Sequence, residues 1–440
     1  MASIKKDISW TFSATFFGSL SQLVLMIVVA RQFDQATLGI FALLNIAMAL
    51  FGYFQDLGLS TYAVHRQDLN AAERANLHWM SILLGGCATL GCVLFAPVTA
   101  WIYQSELLQS LLMWLAPQFL LLGLVSQYQA ELLKQGKLEL LAKIDIFSKL
   151  LGLLVALGLL YLPNADLTAI IAGQLATSIT RAVFLWLCAH TPVLWRSPLN
   201  VPLCKAAFQF GLYQSGSQVI GFLRNRADQL IIGKLLGLEA LGLYSLAKDI
   251  IQQPARLLGP VIQRVLLPRF AKATDSSQLY LQSLKLNLQV NTLIYSGLSL
   301  VSLPLVLLLF GETYVPAAAL ICVLALYGMI RPTGMLISIY SISVGRTDIE
   351  FRWNLIASFW MISSCAVAAI SKNLFFAGLT LSTVQFVLSC YAQRFFTKHL
   401  PALPTIHLSR FSLPYAAITL LASGIGCSIA IYWFGADAFF

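Results

Sequence analysis

Arg224, Arg226 and Asp228 sit near the middle of one long apolar stretch, and Lys248, Asp249 and Arg256 lie in the next. Arg331 occupies the middle of a later stretch, and Arg181 the inner half of an earlier one. An ionisable side chain at mid-bilayer costs about 2.5–3.5 kcal/mol on insertion scales and usually faces a protein interior or an aqueous cavity. These residues are therefore where chemistry is to be sought. Arg224 and Asp228, four positions apart, share a helical face and can neutralise each other. Arg226 projects from nearly the opposite face and needs a partner elsewhere. Asp249 and Arg256 share a face with Gln252 or Gln253 between them, a polar stripe beside Pro254. Arg331 has no acid within a turn. Arg226, Arg256 and Arg331 thus form a surplus of cations without local counter-charges, joined by Arg224, Arg181 and Lys248 as further cationic candidates. A guanidinium is suited to bidentate contacts with phosphate. Either these arginines line a cavity that receives an anion, or they pair across helices with Asp56, Asp145 or Asp249. Asp145 and Lys149, four apart, read as a structural pair. Asp228 and Asp249 are the candidates for a coupling proton or cation, although no ion-site signature surrounds them.

The elements that must carry these charges follow from composition. Of the 440 residues 58% are hydrophobic and 10% charged, whereas a soluble domain carries about 25% charged residues. Such a surplus of apolar side chains exceeds what a soluble core can hide, so the bilayer is the remaining solvent. A span needs about 20 mostly apolar residues. That ruler predicts crossings at 9–32, 37–62, 77–103, 107–133, 143–162, 166–190, 206–236, 240–268, 281–311, 315–343, 352–371, 374–396 and 411–434, about thirteen in all. The fold class is all-α: a polytopic integral membrane protein. Pro254, Pro260 and Pro304 are the expected kink sites. The basic start MASIKKDISW leads into a long apolar stretch without a small-x-small site, and reads as an uncleaved first span.

Orientation follows from the loops. One set of turns holds Lys5 and Lys6; Arg66 and Arg74; Lys134, Lys137 and Lys143; Arg196 and Lys205; Arg264, Arg269 and Lys272; Arg346 and Arg352; Arg394, Lys398 and Arg410. The other set holds Arg31, Lys234, Lys372 and little else. The positive-inside rule puts the first set, and the N-terminus, in the cytoplasm.

Several function classes fall away. The net charge of +10 is spread in ones, twos and threes beside apolar stretches, as on cytoplasmic loops of membrane proteins and unlike a nucleic-acid surface. The eight cysteines form no C-x-x-C pair and read as small hydrophobes; neither a zinc site nor a disulfide framework is indicated. No G-x-x-x-x-G-K-[ST] loop is present, so ATP hydrolysis is not expected. His65, His78, His190, His399 and His407 lie at or near loops or helix ends, none beside paired carboxylates. No metal or cofactor is called for, and the chain is not read as an enzyme.

The two halves resemble each other. ARQFDQATLGIFALL, from Ala30 to Leu44, aligns without gaps on GKLLGLEALGLYSLA, from Gly233 to Ala247. Arg31 then matches Lys234, Leu38-Gly39 matches Leu241-Gly242, and Phe41 matches Tyr244. Upstream, the SQLV at Ser21 echoes the SQVI at Ser217. The longest loop, around His190–Lys205 with Pro192, Pro198 and Pro202, divides the chain. The expected organisation is an N-terminal bundle over 1–190 and a cytoplasmic linker over 191–205. A second bundle over 206–398 follows, then a turn and an extra C-terminal span over 399–440. Each bundle would hold about six spans, as parallel repeats with a substrate path between them.

The stretch ADQLIIGKLLGLEALGLYSLAKDIIQQPARLL, with LPRFA closing the next segment, resembles the polysaccharide-transport branch of the multidrug/oligosaccharidyl-lipid/polysaccharide flippase superfamily. ARQFDQATLGIFALL followed by FQDLGLSTYAVHR resembles the same branch, as does the arrangement of spans over almost the whole chain. The resemblance implies a Wzx-type flippase in a bacterial inner membrane. Its substrate would be an undecaprenyl-pyrophosphate-linked oligosaccharide, the repeat unit of an O-antigen, capsule or exopolysaccharide, moved by alternating access through a cationic cavity. It also implies contact with membrane lipids and with polysaccharide polymerase machinery. The family commonly has 12 or 14 spans, so about thirteen departs from its pattern. The alternatives are a drug or cation antiporter of the multidrug branch, which would favour acidic cavity residues, and a membrane-embedded polymerase, ligase or acyltransferase, which generally needs a large external loop or an acid–base cluster.

Overall fold

The computed structural model describes residues 2–66, 68–163, 166–189, 198–272, 276–400, 403–404 and 408–434, and among them every regular element is a helix. His190, Pro192, Arg196 and His407 lie outside the described residues. In chain order the helices are α1 (Ala2–Gln32), α2 (Gln35–Asp56), α3 (Leu59–His65), α4 (Ala71–Tyr103), α5 (Glu106–Leu115) and α6 (Pro117–Lys134). There follow α7 (Leu138–Leu160), α8 (Thr168–Cys188), α9 (Val201–Leu235), α10 (Leu238–Lys272), α11 (Ser276–Leu300) and α12 (Ser302–Leu309). After a 3-10 turn at Glu312–Tyr314 come α13 (Val315–Ser343), α14 (Thr347–Ile370), α15 (Leu374–His399) and α16 (Leu408–Phe434).

Every expected crossing falls on one of these helices or on two that abut. By length and apolarity, 9 stretches among the described residues suit a membrane, or 10 with the α11–α12 pair taken as one broken span. The remaining long helices, α7, α9 and α10, are interrupted by charge: Lys143, Asp145 and Lys149 in α7, Arg224, Arg226 and Asp228 in α9, Lys248, Asp249 and Arg256 in α10. They are the helices that carry the chemistry.

The breaks have local causes. α11 and α12 meet at 62° because Pro304 has no N–H to give the Leu300 carbonyl and its ring crowds that group. Pro117 opens α6 after the one-residue break at Ala116, where its missing donor is harmless. Asn70 and Glu73 close a reciprocal capping box at the start of α4. Asp34 accepts the Thr37 N–H at 2.9 Å before α2, and the Thr37 hydroxyl and amide hold its carboxyl below the usual carboxylate range.

The chain forms two compact units, residues 1–26 with 40–225 and residues 27–39 with 226–440. In the first, α7 lies along α8, α4 along α6, and α6 also meets α3 and α8. In the second, α13 is the centre, packed by α10, α11, α15 and α16. Of its apolar window 78% is buried, against 22–50% for the other candidate spans, so α13 is surrounded by protein rather than lipid. Ala317, Ala318, Ala325 and Gly328 let neighbours approach it closely.

The repeated motif has a packing role within the second unit. A side chain on Gly39 would collide with the Leu238 carbonyl, and one on Gly242 with the Gln35 carbonyl. Each glycine thus abuts the residue four positions before the other, a reciprocal crossing of α2 and α10. The matched neighbours Leu38, Leu241 and Tyr244 are buried. Beside it, Arg31 donates from Nε to the Leu309 carbonyl at 2.8 Å and from Nη2 to the Leu308 carbonyl, satisfying the end of α12. Gln35 bonds the Thr313 carbonyl at 2.6 Å. Gly242→Val should therefore destabilise by about 1–3 kcal/mol through forced separation of the helices. Gly424→Val, at a position with nothing within 4 Å, should leave thermal melting of the purified protein unchanged.

Candidate functional site

α9 and α10 form an antiparallel hairpin around Gly237, whose φ of 95° only glycine adopts readily. Residues equally far from that turn face each other, and the polar side chains of both helices meet accordingly. Lys248 donates from Nζ to Asp228 Oδ1 at 2.6 Å and also reaches Oδ2. Tyr244 donates its hydroxyl to Asp228 Oδ2. Gln229 donates from Nε2 to Ser245 Oγ at 3.1 Å, and its Oε1 accepts from Arg226 Nη1 at 2.7 Å.

One step along the hairpin, Asp249 takes two guanidiniums. Arg256 Nη2 lies 2.7 Å from Asp249 Oδ1 and Arg226 Nη1 3.7 Å from the same oxygen. Arg256 also donates to Gln252 Oε1 at 3.1 Å. Arg331, on the central helix α13, stacks its guanidinium 5.4 Å from the Tyr327 ring. Arg226 and Arg331 both add positive potential at Lys248. The named group holds Arg226, Lys248, Arg256 and Arg331 against Asp228 and Asp249, an excess of cation.

Burial grades the group. The Lys248 and Asp228 side chains are 2% and 10% exposed, whereas Arg226 and Arg256 keep 20% and 28% of their surface. Inside lies a sealed ion pair; outside it lie guanidiniums with an accessible edge. An anion arriving at that edge would meet donors already held in place.

Several sequence expectations change here. Asp228 binds Lys248 and Tyr244 across the hairpin, partners that its i,i+4 spacing to Arg224 does not reveal. Asp249 serves Arg226 and Arg256 together, so neither arginine is without a partner. Arg181, placed with the cavity cations, donates from Nε to Asp145 Oδ1 at 2.9 Å and from Nη2 to Gln129 Oε1 at 3.2 Å in the first unit. Asp145, matched in sequence with Lys149, therefore takes its closest bond from α8. For Lys248 on Asp228, Arg226 on Asp249 and Arg181 on Asp145 the reason is the same: across an antiparallel hairpin a long cation can point straight at its partner, whereas an i,i+4 pair must lie along the surface of its own helix.

Gln229, Ser245, Gln129 and Tyr327 are not among the residues the sequence singles out, and Tyr244 stands out there only as a repeat position. Reflection about the turn would have found most of them, because 229 with 245 and 228 with 244 or 248 are nearly equidistant from Gly237, as 145 and 181 are from the Leu162–Pro163 turn. Among the described residues no cluster of His, Cys, Asp and Glu is arranged to hold a metal ion.

A bundle of long apolar helices with a charged, mostly cationic group inside one unit defines a multi-pass helical membrane protein with a polar interior. The chain belongs to the polysaccharide biosynthesis protein family, whose model matches residues 28–319. It is 35% identical over 374 residues to the amylovoran biosynthesis protein AmsL of Erwinia amylovora, covering 83% of this chain and 94% of that one. It is 26% identical to the lipopolysaccharide biosynthesis protein WzxC of Escherichia coli, over 81% of this chain and 73% of that one. Among solved structures, the lipid II flippase MurJ in an inward closed conformation shares the fold at TM-score 0.67 and 14% identity, covering 96% of this chain and 99% of that one. An inward-facing multidrug transporter of the MATE family does so at TM-score 0.69 and 13% identity, over 87% of this chain and 94% of that one.

Proposed function

We propose that the protein is a flippase that carries a lipid-linked oligosaccharide across the bacterial inner membrane for assembly of a surface polysaccharide. The observation that carries this reading is the excess of half-buried guanidinium in α9, α10 and α13. An Arg-rich interior suits a phosphate-bearing substrate, and undecaprenyl pyrophosphate would supply the missing negative charge. Arg226, Arg256 and Arg331 would receive the pyrophosphate, with Lys248 adding to the field. Asp228 and Asp249 act as structural counter-charges in this scheme, since each is held by a cation. The names of the relatives support a role in polysaccharide biosynthesis.

The loop charges favour a cytoplasmic N-terminus and loading from the cytoplasmic leaflet. The repeat favours two bundles, over 1–190 and 206–398, that rock about a substrate path. Handing the product to a polysaccharide polymerase on the far side completes the proposed cycle. Such a protein moves its substrate without chemical change.

Purified protein in proteoliposomes tests the reading, with a fluorescent undecaprenyl-pyrophosphate glycan in one set and a cationic dye in another. Translocation of the glycan lipid is the expected result. Dye movement without glycan-lipid movement would reassign the protein to cation export, the reading its MATE-like fold keeps open.

A further inference from the structure

α10 carries three prolines, Pro254, Pro260 and Pro268, within one 35-residue helix. A proline has no N–H for the carbonyl four residues before it, and its ring pushes that carbonyl away from the helix axis. The carbonyls so freed are those of Ile250, Arg256 and Arg264. Ile250 is buried, 7% exposed, and Tyr295 donates to the neighbouring Ile251 carbonyl at 3.0 Å. The other two stand at the surface, where Pro260, Arg264 and Pro268 are exposed and Arg256 keeps 28% of its side-chain surface. Among the described residues no side chain donates to either of them.

Only one side of this half of α10 is packed. The helix runs along α13, and a side chain on Gly259 would meet the Met335 side chain there. At about 100° per residue, Gln253, Arg256, Pro260, Gln263 and Arg264 fall on one adjoining arc, interrupted by Leu267. Leu257, Leu258, Val261 and Val265 fall on the next arc, and the last three of them are exposed. The apolar arc suits lipid. The polar arc does not, because hydrocarbon offers an unpaired carbonyl no donor and a guanidinium no partner. It faces water, or a ligand that brings donors of its own.

We infer that the polar arc of α10 is a binding rail for sugar hydroxyls. The carbonyls of Arg256 and Arg264 accept from the glycan, and the Gln253 and Gln263 amides bond it between them. A glycan is dense in hydroxyl donors, which the freed carbonyls lack. Backbone carbonyls and amides accept and donate whichever sugar bears the hydroxyl, so such a rail tolerates glycans of varied composition. The levels of Gln253 and Arg264 lie about 16 Å apart along the helix, room for several sugar residues.

The rail begins where the charged group ends. Arg256 turns its guanidinium back toward Asp249 and Gln252, at 2.7 and 3.1 Å, and leaves its carbonyl to the rail. A pyrophosphate held by Arg226 and Arg256 would therefore lay its sugars along α10, away from the Gly237 turn. The identity of the ligand rests on the flippase reading above, whereas the need of the arc for hydrogen-bond donors does not.

Three substitutions separate the rail from the bends. Pro260→Ala and Pro268→Ala each return an N–H to a rail carbonyl and leave both glutamines and both arginines in place. Pro254→Ala removes a proline of the same kind but serves only the buried Ile250 carbonyl. The double variant Gln253→Ala, Gln263→Ala tests the rail without touching the backbone. The probes are undecaprenyl pyrophosphate carrying one N-acetylglucosamine and the same lipid carrying a chitin tetrasaccharide, bound to the full-length protein in nanodiscs. The wild type should bind the tetrasaccharide lipid about tenfold more tightly. Pro260→Ala, Pro268→Ala and the glutamine double variant should each lose most of that ratio, and Pro254→Ala should keep it. Equal affinities in the wild type, or a ratio that no rail variant changes, would overturn the rail. A ratio lost equally in Pro254→Ala would assign the effect to helix bending and overturn it too. The expected binding pattern in a protein that moves neither lipid in proteoliposomes would support the rail and sink the flippase reading alone.

Discussion

Lys248→Met should destabilise the second unit by about 3–5 kcal/mol, because it strands a buried carboxylate. Asp228 is 8% exposed and Lys248 2%, so water cannot replace the lost ammonium. The pair itself is weak evidence of net stability, since two charges were desolvated to form it. The severity lies in breaking it on one side. Adding Asp228→Asn to Lys248→Met should recover most of the loss: the asparagine oxygen still accepts from Tyr244, and no buried charge remains. Tyr244→Phe should cost less, about 1–3 kcal/mol, since one hydrogen bond to the carboxylate goes while Lys248 stays. Melting temperatures of the three purified variants and the wild type check the order. A single Lys248→Met as stable as the double variant would mean that Asp228 is neutral or finds another cation.

Arg226→Ala and Arg256→Ala should act on transport and spare the fold. Asp249 holds both guanidiniums, so either replacement leaves it one partner at 2.7 or 3.7 Å. Truncating one member of a hydrogen-bonded charge contact to a ligand costs about 2–5 kcal/mol, which is at least roughly a thirtyfold loss. The initial rate of glycan-lipid movement should fall by that much at equal reconstitution and equal melting temperature. Arg256→Lys should recover only part of the rate, because an ammonium lacks the planar fork. Arg331→Ala belongs to the same series, with the guanidinium on Tyr327 as its present support. Wild-type rates in all three alanine variants would leave these arginines as structural cations and remove the phosphate site from the second unit.

Much about this protein was legible before any contact was known. Composition and run length determined that it is helical and embedded in a bilayer, because backbone groups in hydrocarbon must bond within their own segment. Among the described residues each run falls on one helix or on two that abut, and Pro304 marked the 62° bend between α11 and α12 through its missing N–H. The repeated Leu-Gly pairs at 38–39 and 241–242 were visible as a pattern, but only packing gave them a reason: the glycines cross where a side chain would strike a carbonyl. The charged residues were also legible as a group, since a mid-membrane charge is expensive wherever it points. Their pairing was not. Spacing along one helix offers Arg224 to Asp228 and Lys149 to Asp145, and the hairpins bring Lys248 and Arg181 to those carboxylates from neighbouring helices as well. Asp56 shows the same division. Its partner Ser126, whose hydroxyl donates to it, lies far along the chain on α6, and only folding could set that hydroxyl against the end of α2. Periodicity and desolvation act on each residue where it stands, so sequence alone determines them. Which buried charge meets which depends on the turn that folds one helix back on another, and that the tertiary structure decided.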